Sequence, residues 1–431
     1  MVKLRYIWEE LNSTFWFVPT LLLLVAVLAA FGFIYLDGVI QFSPSGYWRF
    51  LFSGSVDSAR TILSTIASAT VGIAGTVFSI TLVVLTLATS QLGARLLQNF
   101  MYDRLNQVVL GTYVSTYVYC LIVLNSIKQE EGSVFLPVIS VLAALIVSVF
   151  GMVLLVVFIH HISVSIQSNK VVADIASSML KSMRHLYPDG IGPEPDNAPV
   201  EFIPEHFSHH LDVKVKDGGY LKSVDGEKLM ELATEKDLVI IIRSKPGAYL
   251  VSGELLCEVY SNAEIDEKAA KKVVEFFITG KVRSAFQDAE FSIHQMVEVA
   301  SRALSPGIND PHTAIACIDN LTSVMCYLTS VKFPSGQRCD EEGNLRLIAK
   351  VLDFSGMMQA AFSQIRQYGE DSPTVIIRMM DSMATLRKFA TNSEHRSSIQ
   401  KHTDMLLRCG ERSFKEKCDL EDLKKRYFSM Q

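Results

Sequence analysis

Between Arg283 and His312 the chain gathers the side chains from which chemistry could be built: Arg283, Asp288, Glu290, Arg302, Asn309, Asp310 and His312. Carboxylates beside guanidinium and imidazole groups can exchange protons, and a helix start with nearby arginines can hold an anion on its free amides. The same residues have a plainer structural account. Asp310 followed by Pro311 is the pattern of an N-cap with proline in the first helical position, Asn309 suits a turn, and Arg283 or Arg302 has Asp288 as an ion partner. Asp288 with Glu290 is too common a combination to indicate acid/base catalysis. The chain also lacks a glycine-rich phosphate loop, a nucleophile elbow, an HExxH pair and the kinase motifs. Arg283, Asp288, Arg302, Asn309, Asp310 and His312 are therefore expected to form a structural or ligand site, with no catalytic residue and no enzymatic activity.

Seven cysteines, Cys120, Cys257, Cys317, Cys326, Cys339, Cys409 and Cys418, show no CxxC pair and no histidine at zinc spacing. Neither a disulfide framework nor a metal or cofactor site follows, and free thiols fit a reducing compartment. His160 and His161 end a long apolar run, as interfacial residues often do, and a pH-sensing role is the sharper alternative. With 40 basic and 45 acidic residues the net charge is −5, and the basic residues are scattered, so nucleic acid is not an expected partner.

The elements that must position these residues divide sharply by composition. Hydrophobic residues make up 49% of the 431, and from Phe15 to Ile162 charge is confined to short breaks. A helix needs about 20 apolar residues to cross the hydrocarbon core. Four stretches qualify: Phe15 to Tyr35, Ile62 to Ala88, Val108 to Ile127 and Val134 to Phe158. Lys3 and Arg5 precede the first, Arg95 and Arg104 lie between the second and third, and Lys170, Lys181 and Arg184 follow the fourth. These segments are expected inside. The loops from Asp37 to Asp57 and from Lys128 to Ser133 are poorer in basic residues and fit the outside, with Arg60 a mild exception. Both termini are then cytoplasmic.

The second span differs from the others. At 100° per residue, twelve of its residues fall within about 60° of one line: Thr61, Ser64, Thr65, Ser68, Gly72, Gly75, Thr76, Ser79, Leu82, Val83, Thr86 and Ser90. The opposite face, with Ile62, Ile66, Val77, Ile80, Val84 and Leu87, is mainly aliphatic and is expected to meet lipid. Two accounts of the stripe stay open. Small residues and hydroxyls let helices pack closely in a membrane. Alternatively, the ten Ser, Thr and Gly residues line a water-filled pore at an oligomer axis, and Leu82 with Val83 forms an apolar gate. No ionisable residue lies between residues 61 and 94, which argues against an ion-coupled carrier or an intramembrane enzyme. The stretch from Gln91 to Gln107, with Leu92, Leu96, Leu97 and Phe100 near helical spacing, reads as an amphipathic stalk beyond the second span.

Residues 1–165 thus form a four-helix transmembrane domain and 166–200 an exit helix with a Pro-rich linker around Pro188, Pro193, Pro195 and Pro199. A small β-rich subdomain follows at 201–262 and a helical cytoplasmic subdomain at 263–431. The fold class is a membrane all-α domain joined to an α+β domain, in which a small β-barrel or sandwich precedes a helical bundle. Short strands are expected at Leu211–Val215, Tyr220–Val224, Leu238–Arg243, Tyr249–Val251 and Leu255–Tyr260, with Asp225 capping a helix over Gly226–Thr234. The run Pro246-Gly-Ala-Tyr-Leu-Val-Ser-Gly253 resembles the strand-turn-strand of biotinyl/lipoyl-like barrels, without a carrier lysine at the hairpin tip. From Asp266 the pattern is helical throughout, with Gly280 closing the first helix and the turn Ser305–Pro311 launching another over Thr313–Thr329. Further helices are expected at Phe354–Gln367, Thr374–Ala390, Ser393–Arg408 and Leu420–Phe428.

Four segments carry a wider resemblance: Ala303-Leu-Ser-Pro-Gly-Ile-Asn-Asp-Pro311, Arg283-Ser-Ala-Phe-Gln-Asp288, Ala74-Gly-Thr-Val-Phe-Ser-Ile-Thr81 and Asn106-Gln-Val-Val-Leu-Gly111. They resemble a family of bacterial predicted inner-membrane proteins of unknown function. The resemblance implies four spans and a cytoplasmic domain in a bacterial inner membrane, and it supplies no activity. The expectation is a homo-oligomer that contacts membrane lipids and passes a small ion or solute through a pore lined by the second span, regulated by its cytoplasmic domain. A membrane-anchored scaffold or sensor without transport is the alternative.

Overall fold

The computed structural model describes residues 14–40, 55–93, 103–130, 133–165, 167–186, 202–331, 333 and 335–430. The chain divides into two compact units, Met1–Gln167 and Ser168–Gln431. Four helices in the first unit are long and apolar enough to cross a membrane: α1 (Phe17–Val39), α2 (Val56–Leu92), α3 (Arg104–Ser126) and α4 (Val138–Ser165). Between α3 and α4 runs a short antiparallel hairpin, β1 (Lys128–Glu130) and β2 (Ser133–Phe135). The fourth span therefore starts four residues later than its apolar run suggests. Most of the expected stalk after α2, including Arg95, Leu96, Leu97 and Phe100, and the Pro-rich linker lie outside the described residues.

Helix α3 is the centre of this unit. Of the residues in its most apolar stretch 56% are buried, against 11% in α1, and Asn106, Gln107, Ser115, Thr116, Tyr113 and Tyr119 are all buried along it. A helix surrounded by protein can carry polar groups that a lipid-facing helix cannot, provided neighbours satisfy them. Tyr113 donates to the Gly151 carbonyl at 2.6 Å and Tyr119 to that of Ser140 at 3.0 Å, tying α3 to α4. Gly111 brings α3 against α1: a Cβ there would meet Leu22 Cδ1 at 2.8 Å and Pro19 Cα at 2.9 Å.

Asp37, expected at the start of an outer loop, instead sits inside α1 and is 8% exposed. Its carboxylate accepts from the amides of Ile139 (2.8 Å) and Ser140 (3.0 Å) and from the Ser140 hydroxyl (2.7 Å). It caps the start of α4 from another helix, where the exposed amides and the helix dipole both favour a negative charge.

The second unit opens with α5 (Ser168–Leu186), whose Val171, Val172, Ile175, Met179 and Met183 are buried. They pack on α8 (Ala289–Ala303) and α9 (Pro311–Ser330). A five-stranded sheet of order β3-β7-β5-β10-β9 and a three-stranded sheet of order β6-β4-β8 follow. Their strands are β3 (His209–Lys214), β4 (Gly219–Val224), β5 (Leu238–Ile242), β6 (Tyr249–Leu250), β7 (Leu255–Ser261), β8 (Phe277–Gly280), β9 (Gln337–Cys339) and β10 (Leu345–Ala349). Both sheets share one core with α6 (Gly226–Glu235) and α7 (Glu267–Glu275), built on Leu221, Leu229, Ile240, Leu250, Val259, Val273 and Leu347. The remaining helices are α10 (Phe354–Tyr368), α11 (Pro373–Phe389), α12 (Ser393–Ser413) and α13 (Lys417–Phe428).

The segment after Asp266 is not helical throughout. Helix α7 ends at Glu275, and Gly280 closes strand β8 and no helix. Phe277-Ile278-Thr279 is an aromatic and β-branched run that pairs antiparallel with β4. Further on, β10 returns to lie parallel to β5, with Leu347 opposite Ile240.

Candidate functional site

Helix α2 is capped by Ser55, whose side chain accepts the Ser58 amide at 3.1 Å, and runs for 37 residues from Val56. At 1.5 Å per residue that is about 55 Å, well beyond the ~30 Å hydrocarbon core. One face binds it to the rest of the unit: Leu63, Ile66, Ala67, Thr70, Ala74, Val77, Val84 and Ala88 are buried. Ile66, Val77 and Val84 belong to the face expected to meet lipid, so that expectation is reversed for them; Ile62 and Ile80 are half-buried, and Leu87 alone of that face is exposed. The central helix α3 takes up the aliphatic face of α2 and turns the small polar face outward.

All twelve stripe residues, from Thr61 to Ser90, are exposed in the single chain. Seven of the stripe's eight hydroxyls, all but that of Ser68, bond back along their own helix. Thr61 donates to the Asp57 carbonyl (2.7 Å), Thr65 to Thr61 (2.7 Å), Thr76 to Gly72 (3.0 Å), Ser79 to Gly75 (2.9 Å) and Thr86 to Leu82 (2.9 Å). Ser64 and Ser90 do likewise, to Thr61 (3.0 Å) and Leu87 (2.9 Å). A hydroxyl whose proton is used inward keeps only acceptor lone pairs for what lies outside. The stripe is therefore a ladder of oxygen acceptors. Gly72 and Gly75 open it further, since a Cβ on either would meet nothing within 4 Å. Leu82 and Val83, 47% and 59% exposed, interrupt it between Ser79 and Thr86. Asp57 is exposed and lies about 40° from the same line at the other end of the helix, placing one carboxylate on this face.

The candidates of the second unit form two groups. Arg283 donates Nε to Asp288 Oδ2 at 2.8 Å, and its Nη2 lies 2.6 Å from the same oxygen. Asp288 also caps α8 by accepting the Phe291 amide at 3.2 Å. Burial pushes the Asp288 carboxyl up, against the opposing pull of Arg283. The Pro246-Gly247 turn closes over this pair: Gly247 has φ +91, and a Cβ there would lie 2.3 Å from Asp288 Oδ2. Lys245 and Glu290 form a second ion pair at 2.8 Å beside it.

Arg302, Asn309, Asp310 and His312 lie at the far end of α8, fifteen residues or about 22 Å away along its axis. Asp310 caps α9 by accepting the Thr313 amide (3.1 Å) and hydroxyl (2.6 Å), and the Thr313 hydroxyl holds its carboxyl below the ordinary range. Asn309 takes φ +49 in the turn and is exposed, as is His312. The structure thus separates Arg283 and Asp288 from the other four and gives both aspartates capping roles.

Two further contacts escaped the sequence. Asp37 is the cap described above, and Asp103 meets His161 at 2.5 Å between α3 and α4. Among the described residues no group of three metal-ligating side chains occurs. The cysteines are free, and burial pushes the thiols of Cys257 and Cys317 up to about 12, which keeps them protonated.

Comparison with known proteins gives a family and no activity. Residues 12–385 match a family described as predicted membrane protein (DUF2254). Uncharacterized protein Rv1290c of Mycobacterium tuberculosis and uncharacterized protein Mb1321c of Mycobacterium bovis are each 27% identical over 376 residues, covering 86% of this chain and 72% of the relative. No solved structure matches. With four spanning helices in place and the match extending over most of its length, the chain belongs to the DUF2254 family of predicted membrane proteins.

Proposed function

We propose that the protein is a homo-oligomer in a bacterial inner membrane, in which the α2 stripes of several copies face a common axis and line a passive pore for ions or small solutes. One observation carries this: the twelve-residue stripe faces out of its own four-helix unit, while Ile66, Val77 and Val84 of the opposite face are buried and Ile62 and Ile80 half-buried. Lone pairs and bare glycine backbone gain nothing from acyl chains, and copies arranged around an axis would turn them toward water. Leu82 and Val83 would form the narrow apolar ring that gates by dewetting, and Asp57 would place carboxylates at one mouth, which favours cations. Both termini would lie in the cytoplasm by the distribution of basic residues. The second unit would assemble and regulate the pore without catalysing a reaction; the engagement of Arg283, Asp288 and Asp310 in ion pairs and caps supports a structural role for them.

Purified full-length protein in planar bilayers is expected to conduct, and Leu82→Ser is expected to raise the conductance. Silence from both proteins overturns the proposal. A second reading, a scaffold or sensor whose stripe is only a packing seam, is favoured by the back-bonded hydroxyls. They let helices approach closely without stranding a donor.

A further inference from the structure

Helix α13 lies on α11 and α12, and its grip on them is mostly polar. Leu423 alone of its twelve residues is buried. That side chain fills a hole left on α12 by Gly410, where a Cβ would run into Leu423 Cδ2. Arg426 donates Nη1 to Asp381 of α11 at 2.5 Å, and Lys424 lies 3.1 Å from Glu411 of α12. Tyr427 donates its hydroxyl to Asp404 of α12 at 3.0 Å. The four side chains of the two ion pairs are 35% to 43% exposed, so salt screens them.

A helix of this length is marginal in water by itself, so α13 keeps its shape through these contacts and lifts off at a smaller cost than unfolding the bundle beneath. Lifting it leaves a groove between α11 and α12 with three carboxylates, those of Asp381, Asp404 and Glu411, around the hole at Gly410. The nearby cations of the bundle are engaged elsewhere. Arg412, next to Glu411, pairs with Glu370 at 2.7 Å, and Arg387 donates to Gln400, which in turn donates to Asp404. The groove therefore suits a helix that offers a leucine with cations one and three residues after it, the pattern of Leu423, Lys424 and Arg426.

We propose that this groove is a docking site for the α13 helix, filled by the chain's own α13 and able to take the α13 of a second copy when its own lifts. Phe414, Lys415 and Glu416 alone join α12 to α13. A linker that short holds the chain's own helix at an effective concentration of about millimolar, so it prevails in the single chain. Exchange of an identical element between copies costs little, because it remakes the same contacts. The docking site does not depend on whether the protein conducts.

The test uses the full-length protein in a nonionic detergent and a fluorescent peptide with the wild-type sequence from Lys415 to Met430, read by anisotropy. A variant carrying Leu423→Asp and Arg426→Glu has its own α13 lifted, and it should bind the peptide at least about tenfold more tightly than the unaltered protein. Adding Asp381→Lys to that variant should weaken binding about tenfold, and raising the salt from about 50 to 500 mM should weaken it as well. Hydrogen exchange on the unaltered protein gives a second reading that needs no variant. Amides of α13 should exchange faster than those of α11 and α12, and faster still at the higher salt. No binding to the lifted variant, binding indifferent to Asp381→Lys, or α13 amides that exchange in step with those of α11 and α12 overturns the docking site. Each of these results leaves the pore proposal where it stood, because nothing in these measurements reads conduction.

Discussion

Helices α2 and α3 both carry polar residues through an apolar unit, but they dispose of them in opposite ways. In α3 they point inward: Tyr113 and Tyr119 donate to α4 carbonyls at 2.6 and 3.0 Å, and Gly111 lets α1 approach to contact distance. In α2 they point outward: seven hydroxyls turn back on their own helix, and Gly72 and Gly75 face open space. Polar and small residues inside a bundle hold that bundle together. The same residues outside it contribute nothing to the single chain's fold, and their use lies with another copy or with water.

The widest separation between the two helices should come from valine at a glycine in each. Gly111→Val drives side-chain atoms into Pro19 and Leu22, and overpacking of this kind costs about 1–3 kcal/mol, visible as a lower Tm of the detergent-solubilised protein. Gly72→Val meets nothing in the single chain, so the monomer's Tm should be unchanged while the oligomer's size or conductance changes. If Gly72→Val destabilises the monomer as much as Gly111→Val, the distinction between the helices fails.

Outside the membrane unit a smaller effect sets the scale for a residue with a local structural task. Asp310→Ala removes the cap of α9 and should cost about 1 kcal/mol by denaturant unfolding. The Asp310 carboxyl is held below the ordinary range, so its contribution is complete above an unfolded pKa of about 4 and is lost as pH falls through the lower folded value. The cost of the substitution should therefore shrink in acid.

These contrasts also mark where the sequence is informative. The four spans are legible because about 20 apolar residues in a row have few other uses, and every helix end lies within seven residues of the expected one. The two unlike faces of α2 are legible from periodicity. Which face turns inward is not, because that depends on α3 as the central neighbour, a fact held in no single segment. Asp37 was concealed for a similar reason: its partners, Ile139 and Ser140, are about a hundred residues away. In the second unit the caps Asp225 and Asp310 could be read locally. Strand β10 could not, since Leu345–Ala349 is short and its partner β5 lies across several helices of intervening chain. Arg283 through His312 look like one cluster in the sequence, but a helix of fifteen residues holds its two ends apart in space.

The central claim is that the outward face of α2 meets water, and cysteine accessibility tests it most directly. In a chain whose seven native cysteines have been replaced, single cysteines at positions 68, 72 and 79 should react in intact membranes with a thiol reagent that requires water. A cysteine replacing Val156, 68% exposed on the apolar surface of α4, should stay protected. Protection at all three stripe positions, equal to that at Val156, would contradict a pore and leave the stripe as a seam between helices.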